Sequence, residues 1–200
     1  WSVNENWDLG RQPAASDTVI IPNAASSNFP ILDAGVPATT TISKVDIKNG
    51  GSLTMSVAGK TLDVNGQVLI NAGGTLDAGT NSLSCAGSFT ATGTFTPGTS
   101  TVTMDNTDAA SIEGTVTFND LLISGTGTVT LDGDITVSND LTLNSGSTIN
   151  GSPGKKLSVE GDFSWEGTYS AIANHSLIFS GTGASAITGA TTKARDTHNL

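Results

Sequence analysis

Clustered aspartates are the first residues in this 200-residue sequence whose type and spacing suggest a chemical role. Two Asp-rich turns are the densest: one contains Asp105 and Asp108, and the other contains Asp132 and Asp134. Carboxylate and carbonyl oxygens are the ligands that Ca²⁺ prefers, so these four aspartates are candidate calcium ligands. The EF-hand pattern is absent, and Asp is also a common turn residue without any metal. We therefore expect no cofactor, with calcium as the alternative.

Three tryptophans could bind sugar by stacking: Trp1, Trp7 and Trp165. An aromatic ring offers an apolar face to a ligand, but it also contributes a large area to a hydrophobic core. Trp1 and Trp7 are expected to form a hydrophobic lid over the start of the fold, with sugar stacking as the alternative. Trp165 lies two positions after Phe163, which places it inward or at a corner.

Catalytic residues are not evident. Polysaccharide lyases need a base near a metal or an acidic cluster, and hydrolases need paired carboxylates. The few basic residues do not recur near a group of acids, and no nucleophile elbow or phosphate-binding loop occurs. His175 and His198 each lack a second imidazole or cysteine at metal-ligand spacing, so both are expected at the surface. We predict a protein that is not an enzyme, with a polysaccharide lyase or hydrolase as the alternative.

A net charge of −10 restricts the partners of this chain. Nucleic acid and anionic membrane surfaces are poor partners, because binding to either needs clustered Lys and Arg. No apolar run approaches the roughly 18 residues of a transmembrane helix, so membrane insertion is not expected. The sequence opens on Trp1 without a signal peptide, which predicts a mature product or a fragment. Its composition predicts an extracellular or cell-surface location.

Apolar and polar residues alternate from residue 42 onward, which is typical of half-buried β-strands. Successive strand side chains point to opposite faces, so the apolar set forms the interior and Thr, Ser and Asp form the outside. Leu141 and Val159 are therefore expected to be buried. Cys85, the single cysteine, is expected to point inward as a small apolar residue. The pattern predicts an all-β fold.

A recurring step of glycine, Ser or Thr, and an apolar residue indicates how the strands are arranged. It begins at seven glycines: Gly51, Gly74, Gly93, Gly114, Gly127, Gly146 and Gly167. Most successive glycines are separated by roughly 20 residues, which is of the order of one coil of a β-solenoid. Glycine at each step allows the chain to turn a corner. The step from Gly114 to Gly127 is too short for a coil and predicts a seam.

A longer repeat divides the solenoid into units of about 75 residues. Leu83 recurs one unit later as Leu157, and Val45 recurs one unit later as Leu121, with further matches around each. The predicted units are residues 42–117 and residues 118–200, the second being truncated or continuing. Residues 1–41 hold four of the six prolines and are predicted to form a cap with the first strands.

Three Thr-Val-Thr triplets could in principle build the threonine ladders of ice-binding solenoids: Thr101-Val102-Thr103, Thr115-Val116-Thr117 and Thr128-Val129-Thr130. Successive triplets lie too close together along the chain to be separated by one coil. The triplets are therefore expected not to stack on one face, and the β-propensity of threonine explains them.

The stretches Asn6-Trp7-Asp8-Leu9-Gly10-Arg11-Gln12-Pro13 and Asp17-Thr18-Val19-Ile20-Ile21-Pro22 resemble the opening of β-helix regions in large secreted bacterial surface proteins. The later Gly-x-Phe, Thr-Val-Thr and Asn-Asp-Leu steps resemble the repeats of such adhesin-like proteins. The resemblance implies a right-handed parallel β-helix that is exported to the cell surface. It implies no catalytic residues, because these families share repeats rather than a defined site.

The sequence thus predicts a right-handed parallel β-helix, or β-solenoid, with an N-terminal cap. Its predicted function is that of a non-enzymatic structural or adhesive module in a secreted cell-surface protein or an extracellular filament. The expected partners are neighbouring solenoid segments or like subunits stacked end to end, and surface polysaccharide. A carbohydrate-binding or polysaccharide-cleaving β-helix protein is the alternative.

Overall fold

The computed structural model describes residues 1–23, 29–172, 174–182 and 186–189. In these residues the regular structure consists of β-strands β1 to β24 and a short 3₁₀-helix, Asn4–Asn6. The strands follow one another in groups of three, and strands three places apart pair in parallel, except that β11 and β14 belong to separate sheets. The chain is therefore an all-β parallel β-solenoid of about seven turns, which confirms the predicted fold class. The predicted handedness and N-terminal cap stay predictions.

Two of the three faces are continuous eight-stranded sheets. Face 1 contains β1 (Thr18–Ile21), β4 (Lys44–Ile47), β7 (Val68–Ile70), β10 (Phe89–Ala91), β13 (Ala110–Glu113), β16 (Thr128–Leu131), β19 (Thr148–Gly151) and β22 (Thr168–Ala171). Face 3 contains β3 (Thr39–Ile42), β6 (Thr61–Val64), β9 (Ser82–Cys85), β12 (Thr101–Met104), β15 (Asp120–Ile123), β18 (Leu141–Leu143), β21 (Phe163–Trp165) and β24 (Ile187–Gly189).

Face 2 consists of two four-stranded sheets. The first contains β2 (Ile31–Leu32), β5 (Ser52–Met55), β8 (Thr75–Asp77) and β11 (Thr94–Thr96). The second contains β14 (Val116–Phe118), β17 (Ile135–Val137), β20 (Lys156–Val159) and β23 (Ser176–Phe179). Between the two sheets, the rings of Phe95 and Phe118 lie 5.7 Å apart between centroids, and both pack against Phe89 inside the solenoid.

Alternation along each strand fills the interior as the sequence predicted. Leu141, Val159 and Cys85 are all 0% exposed. Each coil buries its apolar side chains against the coils before and after it, and a fully buried Val, Leu or Phe contributes about 1.5–3 kcal/mol. Burial also raises the pKa of the Cys85 thiol to about 12, so this thiol is neutral at physiological pH.

The corner glycines change position halfway along the solenoid. Gly93 directly precedes strand β11 of face 2, and Gly114 lies two residues before strand β14 of the same face. Gly127, in contrast, directly precedes strand β16 of face 1. Only β14 and β15 lie between Gly114 and Gly127, so this short step covers two strands instead of three. The seam is therefore two-thirds of a coil, and it moves the glycine corner from the start of face 2 to the start of face 1.

Close approach of neighbouring coils explains why these corners need glycine. A Cβ atom on Gly93 would collide with the carbonyl oxygen of Asn71, and one on Gly127 would collide with that of Asp108. Gly114 also has a φ of +99°, a conformation that L-residues with side chains rarely adopt. Any larger residue at these corners would push two coils apart.

Matching residues in the two copies of the long repeat lie on different, neighbouring faces of the solenoid. Val45 lies on β4 and its match Leu121 on β15, while Leu83 lies on β9 and its match Leu157 on β20. Each match is thus eleven strands further on, one strand short of four turns. The division at residues 42–117 and 118–200 stays a prediction.

Coil length varies along the solenoid. Thr18 pairs with Lys44 in the next coil, and Thr101 pairs with Asp120 in the next coil. The first of these coils is the longer, because more residues lie between β1 and β2 and between β2 and β3 than between the corresponding strands of the second coil. The register between coils is therefore set by the lengths of the corners as well as by the strands.

Candidate functional site

A groove of about 910 Å³ lies beside the first coil. Its walls come from the N-terminal segment, from β1 and from the residues around β2. Trp1 and Trp7 both line it, so the structure brings together two of the three tryptophans that the sequence selected. Trp165 lies at the other end of the solenoid, on β21.

The two tryptophans have different roles in the groove. Trp1 is 5% exposed and belongs to the hydrophobic core, together with Val19 and Leu32. Trp7 is half-buried, and its ring meets that of Trp1 edge-on with centroids 5.0 Å apart. The Trp7 Nε1–H donates to the Trp1 carbonyl at 3.0 Å, and the Trp1 backbone nitrogen donates to the Ile31 carbonyl at 2.9 Å. Trp7, not Trp1, is therefore the ring that a ligand could reach.

Charged groups line the same groove beside apolar surface. Arg11 pairs with Asp17 through two bonds, Nη1 to Oδ2 at 2.5 Å and Nη2 to Oδ1 at 3.0 Å. The Arg11 bonds, followed by the bond from the Ala14 amide, lower the pKa of Asp17. Exposed apolar side chains complete the walls: Val3, Leu9, Ile20 and Ile31. Such a mixture of an aromatic ring, apolar surface and charged hydrogen-bonding groups suits an amphipathic ligand.

Trp165 packs against other side chains within the solenoid wall. The sequence had placed it inward or at a corner. Its ring stacks on Phe163 with centroids 5.4 Å apart and an interplanar angle of 11°. Its Nε1–H donates to the Gly167 carbonyl at 3.1 Å, and its edge meets Tyr169. These contacts give the half-buried ring a structural role.

The candidate calcium ligands lie at two different corners. Asp105 and Asp108 follow β12, whereas Asp132 and Asp134 follow β16. Asp105 Oδ2 accepts a hydrogen bond from Ser84 Oγ at 2.8 Å, and Asp134 Oδ1 accepts one from the Lys156 amide at 3.2 Å. Asp132 accepts a hydrogen bond from the Ser152 hydroxyl. Three of the four carboxylates thus bind side chains or amides of the neighbouring coil.

No group of three or more His, Cys, Asp or Glu side chains is placed to hold a metal ion within the described ranges. Calcium binding by either Asp pair stays a prediction. Additional ligands would have to come from backbone carbonyls or from water, which are common calcium ligands.

His175 was predicted to lie at the surface, and this prediction is wrong: its side chain is buried, with 7% exposure. Its Nδ1 lies 3.2 Å from the Ser152 carbonyl and its Nε2 lies 2.7 Å from the Tyr169 hydroxyl. A carbonyl can only accept, so Nδ1 carries the proton and Nε2 accepts from Tyr169. Burial lowers the pKa of His175, and glycine at position 151 leaves room for the ring. His198 lies outside the described residues.

A row of carboxylates between coils was missed by sequence reasoning. Asp120 accepts a bond from the Asp140 amide at 3.1 Å, and Asp140 accepts one from the Asp162 amide at 2.9 Å. Asp162 in turn accepts a bond from the Ala186 amide at 2.8 Å. These three aspartates form the Asp row, which joins successive coils where the chain enters face 3. The available signal was an Asp directly before an apolar strand residue, repeated once per coil.

The Thr-Val-Thr triplets do not stack on one face, as predicted, and the structure places them on three different faces. Thr101-Val102-Thr103 lies on β12 of face 3, and Thr128-Val129-Thr130 lies on β16 of face 1. The third triplet lies at β14 of face 2. They form no common ladder.

Comparison of the chain with models of protein families, with curated proteins and with solved structures gives no match. Among the described residues, no helix is long and apolar enough to cross a membrane. Fold and geometry are therefore the grounds on which a function can be proposed.

Proposed function

We propose that this chain is a non-enzymatic scaffold, a module of a secreted cell-surface protein or of an extracellular filament. The observation that carries the proposal is the stacking of parallel strands along a single axis through eight levels on face 1 and on face 3. At about 4.8 Å per level, this stack spans about 34 Å. A solenoid gains length with each coil while each coil contacts only its neighbours, which suits a stalk.

End-to-end stacking with neighbouring solenoid segments or like subunits is part of this proposal. Supporting it, inward side chains of the last coil that the structure describes are partly exposed: Leu177 and Phe179 are half-buried, and Ile187 is 39% exposed. The N-terminal segment acts as the cap of the first coil. Right-handed coiling is also proposed, because crossover connections between parallel strands strongly favour that hand.

Electron microscopy of the native material, with light scattering over a concentration series, tests the scaffold. Filaments or end-to-end particles that lengthen with concentration are the expected result. Isolated single particles at every concentration would overturn the proposed filament. Turnover of any polysaccharide in a broad panel would overturn the proposed non-enzymatic role. Immunolabelling of intact cells tests the surface location.

Carbohydrate binding is the second candidate, and the groove beside the first coil is the observation that favours it. Trp7 and Phe29 offer rings, while Asp8, Arg11 and Asp33 offer polar groups to sugar hydroxyls. Surface polysaccharide would then be the partner of an adhesive module. Titration calorimetry against soluble oligosaccharides tests this role.

The calorimetry requires groove variants and a matched control. Trp7→Ala should abolish sugar binding, and Trp165→Ala at the other end of the solenoid should leave it unchanged. Arg11→Ala removes an exposed groove residue with little effect on the fold and should weaken binding. Equal binding by the parent chain and by both groove variants would exclude the groove as the sugar site.

A further inference from the structure

Three side chains converge on the corner where face 1 ends in the second and third coils. Asp46 lies on β4, Lys48 follows directly after β4, and Asn71 follows directly after β7. Ile47 pairs with Ile70 across the two strands. One position further along each strand, Lys48 and Asn71 therefore stand beside each other on adjacent coils, at a backbone separation of about 4.8 Å.

One carboxylate holds both the amine and the amide. Asp46 Oδ2 accepts from Lys48 Nζ at 2.8 Å, and Asp46 Oδ1 accepts from Asn71 Nδ2 at 2.9 Å. Asn71 Nδ2 also donates to the Ile47 carbonyl at 2.9 Å, and this second bond fixes which end of the amide faces the carboxylate. The Asp46 side chain is 11% exposed and that of Lys48 is 47% exposed. A largely buried carboxylate thus bridges a nucleophile and a leaving group.

We propose that Lys48 and Asn71 join in an intramolecular isopeptide bond, with Asp46 as the proton relay. Asp46 takes a proton from the Lys48 ammonium, and the neutral Nζ attacks Cγ of Asn71. Asp46 passes that proton to Nδ2 and takes the second proton that Nζ must lose. The Cγ–Nδ2 bond breaks, and ammonia leaves as ammonium with that second proton. One C–N bond forms and one breaks, so no oxidant or reductant is needed.

The placement supplies the shared proton relay that this reaction requires. An amine and a carboxamide held by one group react at a high effective concentration, and the carboxylate lies within hydrogen-bond distance of both nitrogens. Lys60 provides an internal contrast. Its Nζ donates to the Val36 carbonyl and its backbone amide to Asn81 Oδ1, and within the described residues its Nζ has no carboxylate bond to serve as a relay. The covalent bond would tie the second coil to the third, independently of the scaffold and sugar-binding roles.

Intact-mass spectrometry of the full folded chain, incubated at neutral pH, tests the proposal. The expected mass is that of the sequence less one ammonia, and a protease digest should yield a branched peptide that joins Lys48 to Asn71. Asn-Gly steps can lose the same mass by forming a succinimide, and the chain has three, beginning at Asn49, Asn65 and Asn150. The branched peptide distinguishes the two products.

Matched variants complete the test. Lys48→Arg and Asp46→Asn should each keep the full mass and show a lower Tm than the linked chain, whereas Lys60→Arg should lose ammonia as the parent does. Circular dichroism establishes that each variant is folded. An unchanged mass of the parent chain, or a loss of ammonia without a branched peptide that joins Lys48 to Asn71, would overturn the isopeptide bond.

Discussion

The first and last coils of the solenoid differ in how their inward side chains are covered. In the first coil Val19 is 2% exposed and Leu32 is 0% exposed, and both belong to one hydrophobic core with Trp1. In the last coil Leu177 is half-buried and Ile187 is 39% exposed. An inner coil is buried by two neighbours, whereas a terminal coil needs side chains from outside the repeat. In the proposed N-terminal cap, Trp1 is that side chain for the first coil.

The largest expected effect comes from removing the buried tryptophan of the N-terminal segment. Trp1→Ala should reduce the free energy of unfolding by about 3–5 kcal/mol, the usual cost of truncating a buried aromatic residue. The Trp7 indole bonds to the Trp1 backbone carbonyl, so that hydrogen bond can survive. Urea unfolding measures the change, and hydrogen exchange should show faster opening of β1 and β2. Trp165→Ala, at a half-buried position, is the control and should cost less.

The difference between inner and terminal coils can be measured with one type of substitution. Leu141→Ala in β18 should cost about 2–5 kcal/mol, because the side chain is fully buried and leaves a cavity. Leu177→Ala in β23 should cost about 1 kcal/mol, because less apolar area leaves water there. Equal losses in urea unfolding would show that the last coil is as well covered as the inner coils.

The Asp row offers a smaller test of how the last coil is attached. Asp162→Ala removes the carboxylate that accepts the Ala186 amide, which should cost about 1 kcal/mol. Hydrogen exchange should quicken at Ala186 and along β24, and should stay unchanged in the first coils. Asp108→Ala, at an exposed corner aspartate, should leave both exchange and stability unchanged. Faster exchange throughout the solenoid would contradict a local role of Asp162.

The smallest effect is a pH dependence of the last coils through His175. Its pKa is lowered by burial, so the unfolded chain binds more protons than the folded chain as the pH falls below the ordinary value near 6.5. The stability that neutral His175 contributes is present above that value and is lost as the pH falls toward the folded pKa. Urea unfolding between pH 7.5 and pH 5.5 should show this loss, and His175→Gln should flatten it.

Alternation and the glycine steps made much of the fold predictable. Each strand residue points in or out according to its neighbours in sequence, so the burial of Leu141, Val159 and Cys85 follows from local pattern alone. The spacing of the glycines indicated the length of a coil, and the one short step revealed a seam. Of the groove, only its two tryptophans were predicted, because the residues of β1 and β2 that face them are not close to them in sequence.

The buried environment of His175 could not be predicted for a related reason. Its partners Ser152 and Tyr169 lie 23 and 6 residues away, on different coils or strands, and no local pattern joins them. The triad of Lys48, Asp46 and Asn71 likewise depends on the register between β4 and β7. Corner lengths vary and set that register. Each corner whose length the sequence does not indicate therefore shifts the predicted position of every later strand.

By itself, the sequence determined the period of the solenoid, the inward residues and the corners that need glycine. These depend on the conformation of each residue and on its immediate neighbours along the chain. Tertiary structure decided which face each strand occupies, because differences in coil length accumulate along the chain. It also decided that the long repeat moves by one face, since eleven strands are one short of four full turns. Contacts between coils, including the groove, the Asp row and the His175 site, follow from that stacking.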